Sequence, residues 1–340
     1  MGKTVNMKQA DEQSVLYKLI PSYRDYHKLP RIWVPYLEFI DGPCFKSKTV
    51  NTDNIGLRFS LNAQGHRKSI ENISDESVGI IAGGSVTFGE GATADEYTIS
   101  SLLGKKTGKS WLNFGNRAHN LFQTYLRLSM LRSKLSPVDH IVLFAGANEF
   151  ANPRLFPCTP HVSGANLEFG QQFQLHNKRY LVKESTNLTI PSEWFEGLYY
   201  MGKGTVDDLP YYETLIDNTL MNFSSLAQDL DAKLTFVFQP VFSWLDKEPS
   251  LEERQLHNFL DGPGTIFHLA KMLWARENSY WFRELTRRRC EELGIHFFDI
   301  NDTFGSNNLD GEWIFIDHFH LTNLGNEKVA EMIYSNLESQ

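Results

Sequence analysis

From about residue 77 onward, short apolar runs alternate with longer stretches of mixed character. The runs are rich in β-branched and aromatic residues, a pattern typical of strands in βαβ units. Five of them predict strands: VGIIAG (78–83), SWLNFG (110–115), HIVLFAG (140–146), KLTFVFQP (233–240) and IHFFDI (295–300). Because crossover helices fit between successive runs, the five strands are predicted to form one parallel sheet.

The stretches between these runs predict helices. Four lie at about 95–106, 120–135, 211–230 and 266–293, and a last one at about 323–337. In the last stretch, Leu324, Val329, Ile333 and Leu337 are expected near one face. The predicted fold class is α/β, a three-layer α/β/α sandwich around a central five-stranded parallel sheet.

The composition divides the chain into two parts. Residues 1–76 are rich in aromatic residues and prolines and lack a clean period, so we expect an irregular arm packed on the main domain. The main domain covers residues 77–340. Within it, the segment at about 150–210 interrupts the alternation, and a connection of that length usually shapes or covers a site. We interpret this segment as a cap insertion.

The totals narrow the class of protein. Of 340 residues, 41% are hydrophobic, and no run approaches the roughly 18 apolar residues that span a bilayer. The first residues lack the apolar region of a secretory signal. The three cysteines are widely separated and odd in number, so we expect no disulfide framework, no metal site and a reducing, cytoplasmic location.

Charge and spacing disfavour nucleic acid and nucleotides. The net charge is −8, and no long Lys/Arg run or aromatic-basic stripe occurs. GKKTGKS (104–110) is similar to a phosphate-binding loop, but it has three residues between the glycines instead of four and precedes a strand. In GGSVTFGEG, Glu90 stands where a phosphate-binding lysine would be needed. A nucleotide-dependent enzyme is therefore the weakest of the functions considered.

Gly83-Gly84-Ser85 follows the first predicted strand. A serine here has two interpretations, a turn that begins a helix or a nucleophile at the carboxyl end of a strand. By itself the turn is the commoner case. The segment is not a G-x-S-x-G elbow, because Thr87 occupies the last glycine position.

An acid–base pair precedes the last predicted helix, in FIDHFHLTNLGNEKVA. Asp317 and His320 are three residues apart, and a turn of this length can bring a carboxylate onto an imidazole, which holds one tautomer and stabilises the imidazolium. His318 lacks this spacing and is the weaker candidate. The alternative for the pair is a helix N-terminus with incidental polar residues.

Two further segments follow strands of the same predicted sheet. Asn148 comes after the third strand, and NFGNRAHN (113–120) forms the turn after the second. Ligands of open α/β sheets bind beyond the carboxyl ends of strands, where the strand order reverses. A hydroxyl, a backbone donor, an amide donor and an Asp-His pair at that edge are the groups that acyl transfer requires.

In their order along the chain, the four segments resemble the motif blocks of the SGNH/GDSL hydrolase superfamily. GGSVTFG is similar to the first block, NFGNRAHN to the second, GANE to the third (usually Gly-x-Asn-Asp) and DHFH to the last. The resemblance runs from about residue 77 to the C-terminus, interrupted by the insertion. It implies a flavodoxin-like α/β/α sandwich and a serine enzyme that needs no metal or organic cofactor.

The resemblance also implies a role for each matching residue. Ser85 would be the nucleophile and, through its N–H, the first oxyanion donor. Asn148 would donate its side-chain amide, His320 would be the general base, and Asp317 would orient it.

The second and third blocks depart from the family pattern. Ala118 stands where a glycine is usual, so its backbone N–H can serve the oxyanion only if the chain reaches that geometry without glycine's freedom. Gly115 is the other backbone candidate. Glu149 replaces an aspartate and keeps its charge. We consider Glu149 and His119 as substrate-binding residues, with a solvated turn as the alternative for His119.

Two classes of function fit these segments. The leading one is a serine-dependent esterase, deacylase or acyltransferase with an acyl-serine intermediate. TFVFQPVFSW and FIDHFHLTNLGNE are similar to proteins of bacterial glycan or secondary-metabolite biosynthesis, which implies an acylated small molecule or glycan precursor as substrate. The alternative is a catalytically silent protein that binds an acylated or sugar ligand. No motif indicates an oligomeric state.

Overall fold

The described N-terminal part of the chain contains helical residues at 15–19, a short helix and two small antiparallel hairpins. This computed structural model describes residues 15–73, 76–135, 137–155, 209–261, 274, 276–306 and 309–339. Helix α1 is Tyr23–Lys28, and the hairpins pair β1 (Arg31–Val34) with β2 (Glu38–Asp41) and β3 (Ser60–Leu61) with β4 (Arg67–Lys68). Strands this short show no readable two-residue period, so the sequence does not predict them.

Five parallel strands form the central sheet. They are β5 (Val78–Gly83), β6 (Trp111–Gly115), β7 (Val138–Ala145), β8 (Lys233–Phe238) and β9 (His296–Asp299). Their order is β6-β5-β7-β8-β9, which is the flavodoxin-like order 2-1-3-4-5. The predicted sheet is confirmed, with strand ends that differ by a residue or two. Every residue of β5 and β6 is buried, which explains their continuous apolar runs.

Helices flank the sheet on both faces, which confirms the three-layer sandwich. In one group, Leu209–Asp229 packs on both Leu121–Leu131 and Arg276–Glu292. In a second group, Ile99–Thr107 packs on Asn323–Glu338. The helices after α1 are α2 (Ser85–Phe88), α3 (Ile99–Thr107), α4 (Leu121–Leu131), α5 (Ala147–Leu155), α6 (Leu209–Asp229), α7 (Leu251–Leu260), α8 (Arg276–Glu292), α9 (Ile300–Ser306) and α10 (Asn323–Glu338).

Most of the predicted helices are present, with two qualifications. The helix expected at about 266–293 is described from Arg276, and the residues before it, apart from Trp274, lie outside the described chain. In α10, Val329 and Ile333 are buried as expected, but Leu324 is 40% exposed. At 3.6 residues per turn, Leu324 stands about 140° from Val329 and so misses the packed face.

The proposed cap at about 150–210 is only partly within the described chain. Its first residues continue α5 as far as Leu155, and residues 156–208 lie outside the description. Across the described ranges, no helix is long and apolar enough to cross a membrane.

Candidate active site

Ser85 lies where β5 runs directly into α2. A Cβ on Gly83 would lie 2.2 Å from the Phe144 carbonyl oxygen, and one on Gly84 would lie 2.7 Å from Asn148 Nδ2. Neither position can accept a side chain without moving its neighbours. The two glycines thus let the strand turn tightly into the helix, which places Ser85 at the carboxyl edge of the sheet, 6% exposed.

Ser85, His320 and Asp317 form a hydrogen-bonded row. His320 Nε2 is 2.6 Å from Ser85 Oγ, and His320 Nδ1 is 2.5 Å from Asp317 Oδ2. The other oxygen, Asp317 Oδ1, accepts the backbone N–H groups of Phe319 and His320 at 2.9 and 2.7 Å. The turn therefore fixes the carboxylate, and the carboxylate fixes the imidazole. With Nδ1–H donated to Asp317, Nε2 is the nitrogen that can accept the Ser85 proton.

The charges around the ring favour a protonated imidazole. Burial alone would lower the pKa of His320, but the Asp317 carboxylate, followed by Glu90, raises it above its ordinary value. Burial likewise opposes ionisation of Asp317, yet His320 and the hydrogen bonds of the turn lower its pKa to about 2. Asp317 is thus ionised at neutral pH, and a proton that leaves Ser85 is stabilised on His320.

Asn148 lies beside the serine turn, because β7 pairs directly with β5. Its Nδ2 donates to the carbonyl oxygen of His119 at 2.8 Å, and both groups would contact a Cβ on Gly84. The amide nitrogen carries two hydrogens, and this bond uses one. The contact therefore fixes the amide next to the residue that precedes Ser85.

The two backbone candidates of the second block differ in what surrounds them. Gly115 donates its N–H to Asn113 Oδ1 at 2.9 Å, and a Cβ there would lie 2.1 Å from Phe88 N. Gly115 therefore serves the close packing of β6 on α2 rather than a site facing a ligand. Ala118 has φ +59°, the left-handed conformation that glycine adopts most easily. The alanine thus takes a backbone conformation that glycine would favour.

Glu149 and His119 are both buried. The two oxygens of Glu149 accept the N–H groups of Leu121 and Gly146, each at 2.8 Å, which ties the start of α4 to the start of α5. His119 Nε2 is 2.7 Å from the Phe39 carbonyl oxygen, and burial lowers the pKa of His119 to about 3. The solvated-turn interpretation of His119 is wrong. Burial and these contacts also argue against the substrate contacts expected of both residues.

His318 points away from the serine. Its Nε2 is 2.7 Å from Asp261 Oδ1, and its ring stacks on His257 with centroids 5.0 Å apart. This placement agrees with the sequence analysis, in which His318 is a weaker candidate than His320.

The sequence analysis missed Glu90, which lies beside the imidazole, and Tyr23, which contacts Glu90. Glu90 Oε2 is 3.6 Å from His320 Nε2, and the Tyr23 hydroxyl donates to Glu90 Oε1 at 2.5 Å. Glu90 stands five residues after Ser85, so its nearness to the serine was a usable signal. Tyr23 comes from the N-terminal part, 67 positions away, and no pattern in the sequence connects the two.

The arrangement supplies a hydroxyl, a base, an orienting carboxylate and an amide donor at one edge of the sheet. These groups suit nucleophilic attack on an acyl carbon. Among the residues that the structure describes, no group of three or more His, Cys, Asp or Glu side chains is placed to hold a metal ion.

The strand order is the flavodoxin-like one that the resemblance to the SGNH/GDSL hydrolase superfamily implies. No protein-family model matches the chain, and no curated protein matches it either. Among solved structures, it is similar to an acetyl xylan esterase at 15% identity and a TM-score of 0.42, with 76% of this chain and 98% of that chain covered.

Two further structures show a similar likeness. A carbohydrate acetylesterase family member from Sinorhizobium meliloti has 14% identity and a TM-score of 0.38, with 78% and 98% of the two chains covered. A lipase/acylhydrolase from Enterococcus faecalis has 11% identity and a TM-score of 0.38, with 78% and 96% covered.

Proposed function

We propose that this protein is a serine-dependent esterase or deacylase, or an acyltransferase, that works through an acyl-Ser85 intermediate. The observation that carries the proposal is the row in which His320 Nε2 lies 2.6 Å from Ser85 Oγ and Nδ1 lies 2.5 Å from Asp317 Oδ2. Ser85 and His320 are 235 positions apart in the chain. A serine that merely begins a helix needs no such partner.

In the first half of the proposed reaction, Ser85 Oγ attacks the acyl carbon while its proton passes to His320 Nε2. The carbonyl electron pair moves onto oxygen, and the Ser85 N–H and the Asn148 amide, with the Ala118 N–H, stabilise that oxyanion. As the tetrahedral intermediate collapses, the leaving oxygen or nitrogen takes the proton from His320. Acyl-Ser85 and a free alcohol or amine result.

In the second half, His320 takes a proton from the acceptor, which attacks the acyl-Ser85 carbonyl. Water as the acceptor gives a carboxylic acid, and a hydroxyl or amine gives a transferred acyl group. The proton returns to Ser85 Oγ in either case. The same residues serve both reactions, so access of water to the acyl-enzyme decides between them.

The proposed substrate is an acylated small molecule or glycan precursor, and the proposed location is cytoplasmic. The substrate class is supported by the similarity of TFVFQPVFSW and FIDHFHLTNLGNE to proteins of glycan and secondary-metabolite biosynthesis. The location is supported by three scattered cysteines that indicate a reducing compartment.

A fluorophosphonate probe tests the nucleophile. Wild type is expected to gain one covalent adduct by intact-mass spectrometry, and Ser85→Ala none, because only the activated hydroxyl attacks phosphorus. Ser129→Ala is a matched control, since this serine of α4 has no hydrogen-bond partner for its hydroxyl among the described residues. It should label like wild type.

Turnover of a panel of acyl esters, with and without added alcohol or amine acceptors, then separates hydrolysis from transfer. His320→Ala is expected to lose at least a hundredfold in rate, because a positioned base contributes about that much or more. Folded wild-type protein that takes up no probe and turns over no ester would contradict the proposal and favour the silent ligand-binding protein.

A further inference from the structure

His320 lies between two carboxylates. Asp317 contacts Nδ1, and Glu90 Oε2 lies 3.6 Å from Nε2, the nitrogen that also meets Ser85 Oγ. Glu90 reaches this position through the turn that ends α2, in which Gly89 has φ +87°. The Glu90 N–H donates to the Ser85 carbonyl oxygen at 3.0 Å. The segment that carries the serine therefore also delivers the second carboxylate.

Tyr23 holds Glu90 from the opposite side. Its hydroxyl donates to Glu90 Oε1 at 2.5 Å, and burial, together with the charge of Glu90, raises the pKa of Tyr23 well above its usual value. The hydroxyl thus stays a donor. The Glu90 side chain is only 12% exposed. Burial alone would raise the pKa of Glu90, but His320 and Arg117 outweigh it, so this group is a carboxylate near neutral pH.

We propose that Glu90, anchored by Tyr23, is a positioning residue that stabilises the His320 imidazolium during acyl chemistry at Ser85. This inference rests on the proposed function. The 3.6 Å between Glu90 Oε2 and His320 Nε2 gives strong charge attraction but is longer than a hydrogen bond. The hydrogen bond of Nε2 is to Ser85 Oγ, at 2.6 Å. The proton therefore moves from Ser85 to Nε2 and on to the leaving group. Glu90 gains none.

The charge of Glu90 also sets the pH range of the base. The groups that act on His320 are Asp317 from its own turn and Glu90 from the α2 turn, and those that act on Glu90 are Tyr23, Arg31 and Arg117. The charge of Glu90 also acts on the pKa of His27 in α1, which burial lowers overall. Both carboxylates raise the pKa of His320. Only neutral imidazole accepts the serine proton, so activity rises with pH through that raised pKa. Loss of the Glu90 charge must move this acid limb to lower pH.

Glu90→Gln tests the inference, because it removes the charge and keeps the side-chain shape and an acceptor for Tyr23. The readouts are the His320 imidazole titration by ¹⁵N NMR and the pH profile of kcat/KM. Both should move to lower pH by the same interval, and the plateau of kcat/KM should fall about tenfold. Glu90→Asp keeps the charge at a longer reach, so its titration should lie between wild type and Glu90→Gln.

Glu96→Gln is the matched control, since Glu96 is exposed. In this variant, the His320 titration and the pH profile of kcat/KM should be the same as in wild type. An unchanged His320 titration in folded Glu90→Gln overturns the inference. If that variant does not fold, Glu90→Ala decides by the same criterion, because it also removes the charge, whereas Glu90→Asp retains it. A shifted titration in a protein that neither labels nor turns over esters overturns the proposed function instead, so the two failures are distinguishable.

Discussion

At the residue scale, the site depends on single side chains that hydrogen bonds and close packing hold in place, and the Asn148 amide is an example. Asn148 is fixed by one bond to a backbone carbonyl, and Gly84 leaves the space that its amide occupies. An amide held in this way costs little reorganisation when charge develops nearby, which is the condition for oxyanion stabilisation.

Asn148→Ala is expected to cost about 2–4 kcal/mol of transition-state stabilisation, as measured by kcat/KM on an ester that wild type turns over. The rate of phosphonylation by a fluorophosphonate should fall in parallel, since that transition state also carries negative charge on the phosphoryl oxygen. Asn72→Ala removes an exposed asparagine amide that bonds a backbone carbonyl and should leave the rate unchanged. A rate for Asn148→Ala within threefold of wild type would show that its amide does not face the oxyanion.

The sequence predicted the hydrogen-bonded row of Ser85, His320 and Asp317, but not the contacts that Glu90 and Tyr23 add beside it. Ser85, Asp317 and His320 stand in short motifs whose spacing carries their chemistry. In the sequence, Glu90 only argues against a phosphate site, and Tyr23 reaches it through tertiary folding that leaves no local pattern. Burial of His119 was equally unreadable, because the backbone that accepts its bond, at Phe39, comes from the N-terminal hairpin.

At the scale of elements, the position of Ser85 depends on how closely α2 lies on β6. Asn113 Nδ2 donates to the Thr87 carbonyl oxygen at 3.0 Å, and Gly115 lets the Phe88 backbone approach β6. The obstacles around Gly115 are backbone atoms of α2, which cannot rotate aside. The helix that begins at the nucleophile thus has little freedom to shift.

Gly115→Ala is expected to lower the free energy of unfolding by about 1–3 kcal/mol, because the added methyl overpacks β6 against α2. Fluorophosphonate labelling should slow as well, since α2 carries Ser85. Among the described residues, no atom beyond the glycine's own stretch of helix lies within 4 Å of a methyl at Gly305 in α9, so Gly305→Ala is expected to be neutral or stabilising by up to about 1 kcal/mol. Denaturant unfolding measures both, and equal stability of the two variants would contradict the packing argument.

Most of the elements that the sequence predicted have long or largely buried apolar patterns, although β9 has only one buried residue of four. Helix α2 has four residues, too few for a helical period to appear. Helix α7 has a readable capping box at Ser250 and Glu253, but only a few of its residues are buried, so its apolar stripe is thin. Elements of this kind are stabilised by their surroundings rather than by their own pattern.

At the scale of the whole molecule, buried arginines join the N-terminal part to the sheet. Arg117 pairs with Asp41 at 2.5 Å and donates to the carbonyl oxygens of Tyr26 and Leu29. Arg58, fully buried, pairs with Asp95 at 2.9 Å. The division of the chain at residue 76 stays a prediction, and these contacts cross it.

Arg117→Met is expected to destabilise the protein by about 3–5 kcal/mol, because it leaves the Asp41 carboxylate buried without its partner. Arg287→Met is the matched control. Arg287 is only partly buried on α8 and pairs with Glu284 and Glu291, so its loss should cost at most about 1 kcal/mol. Urea unfolding of both variants checks the difference, and a similar small loss for each would show that the Arg117 pair does not hold the two parts together.

The bond from Tyr23 to Glu90 bears on how the protein can be dissected. A fragment trimmed to start at residue 77 would retain Ser85, Asp317 and His320, yet it would lose the phenol that anchors Glu90. It would also lose the acidic partner of Arg117. The border suggested by composition is therefore a poor place to cut, and a minimal working unit must begin upstream of α1.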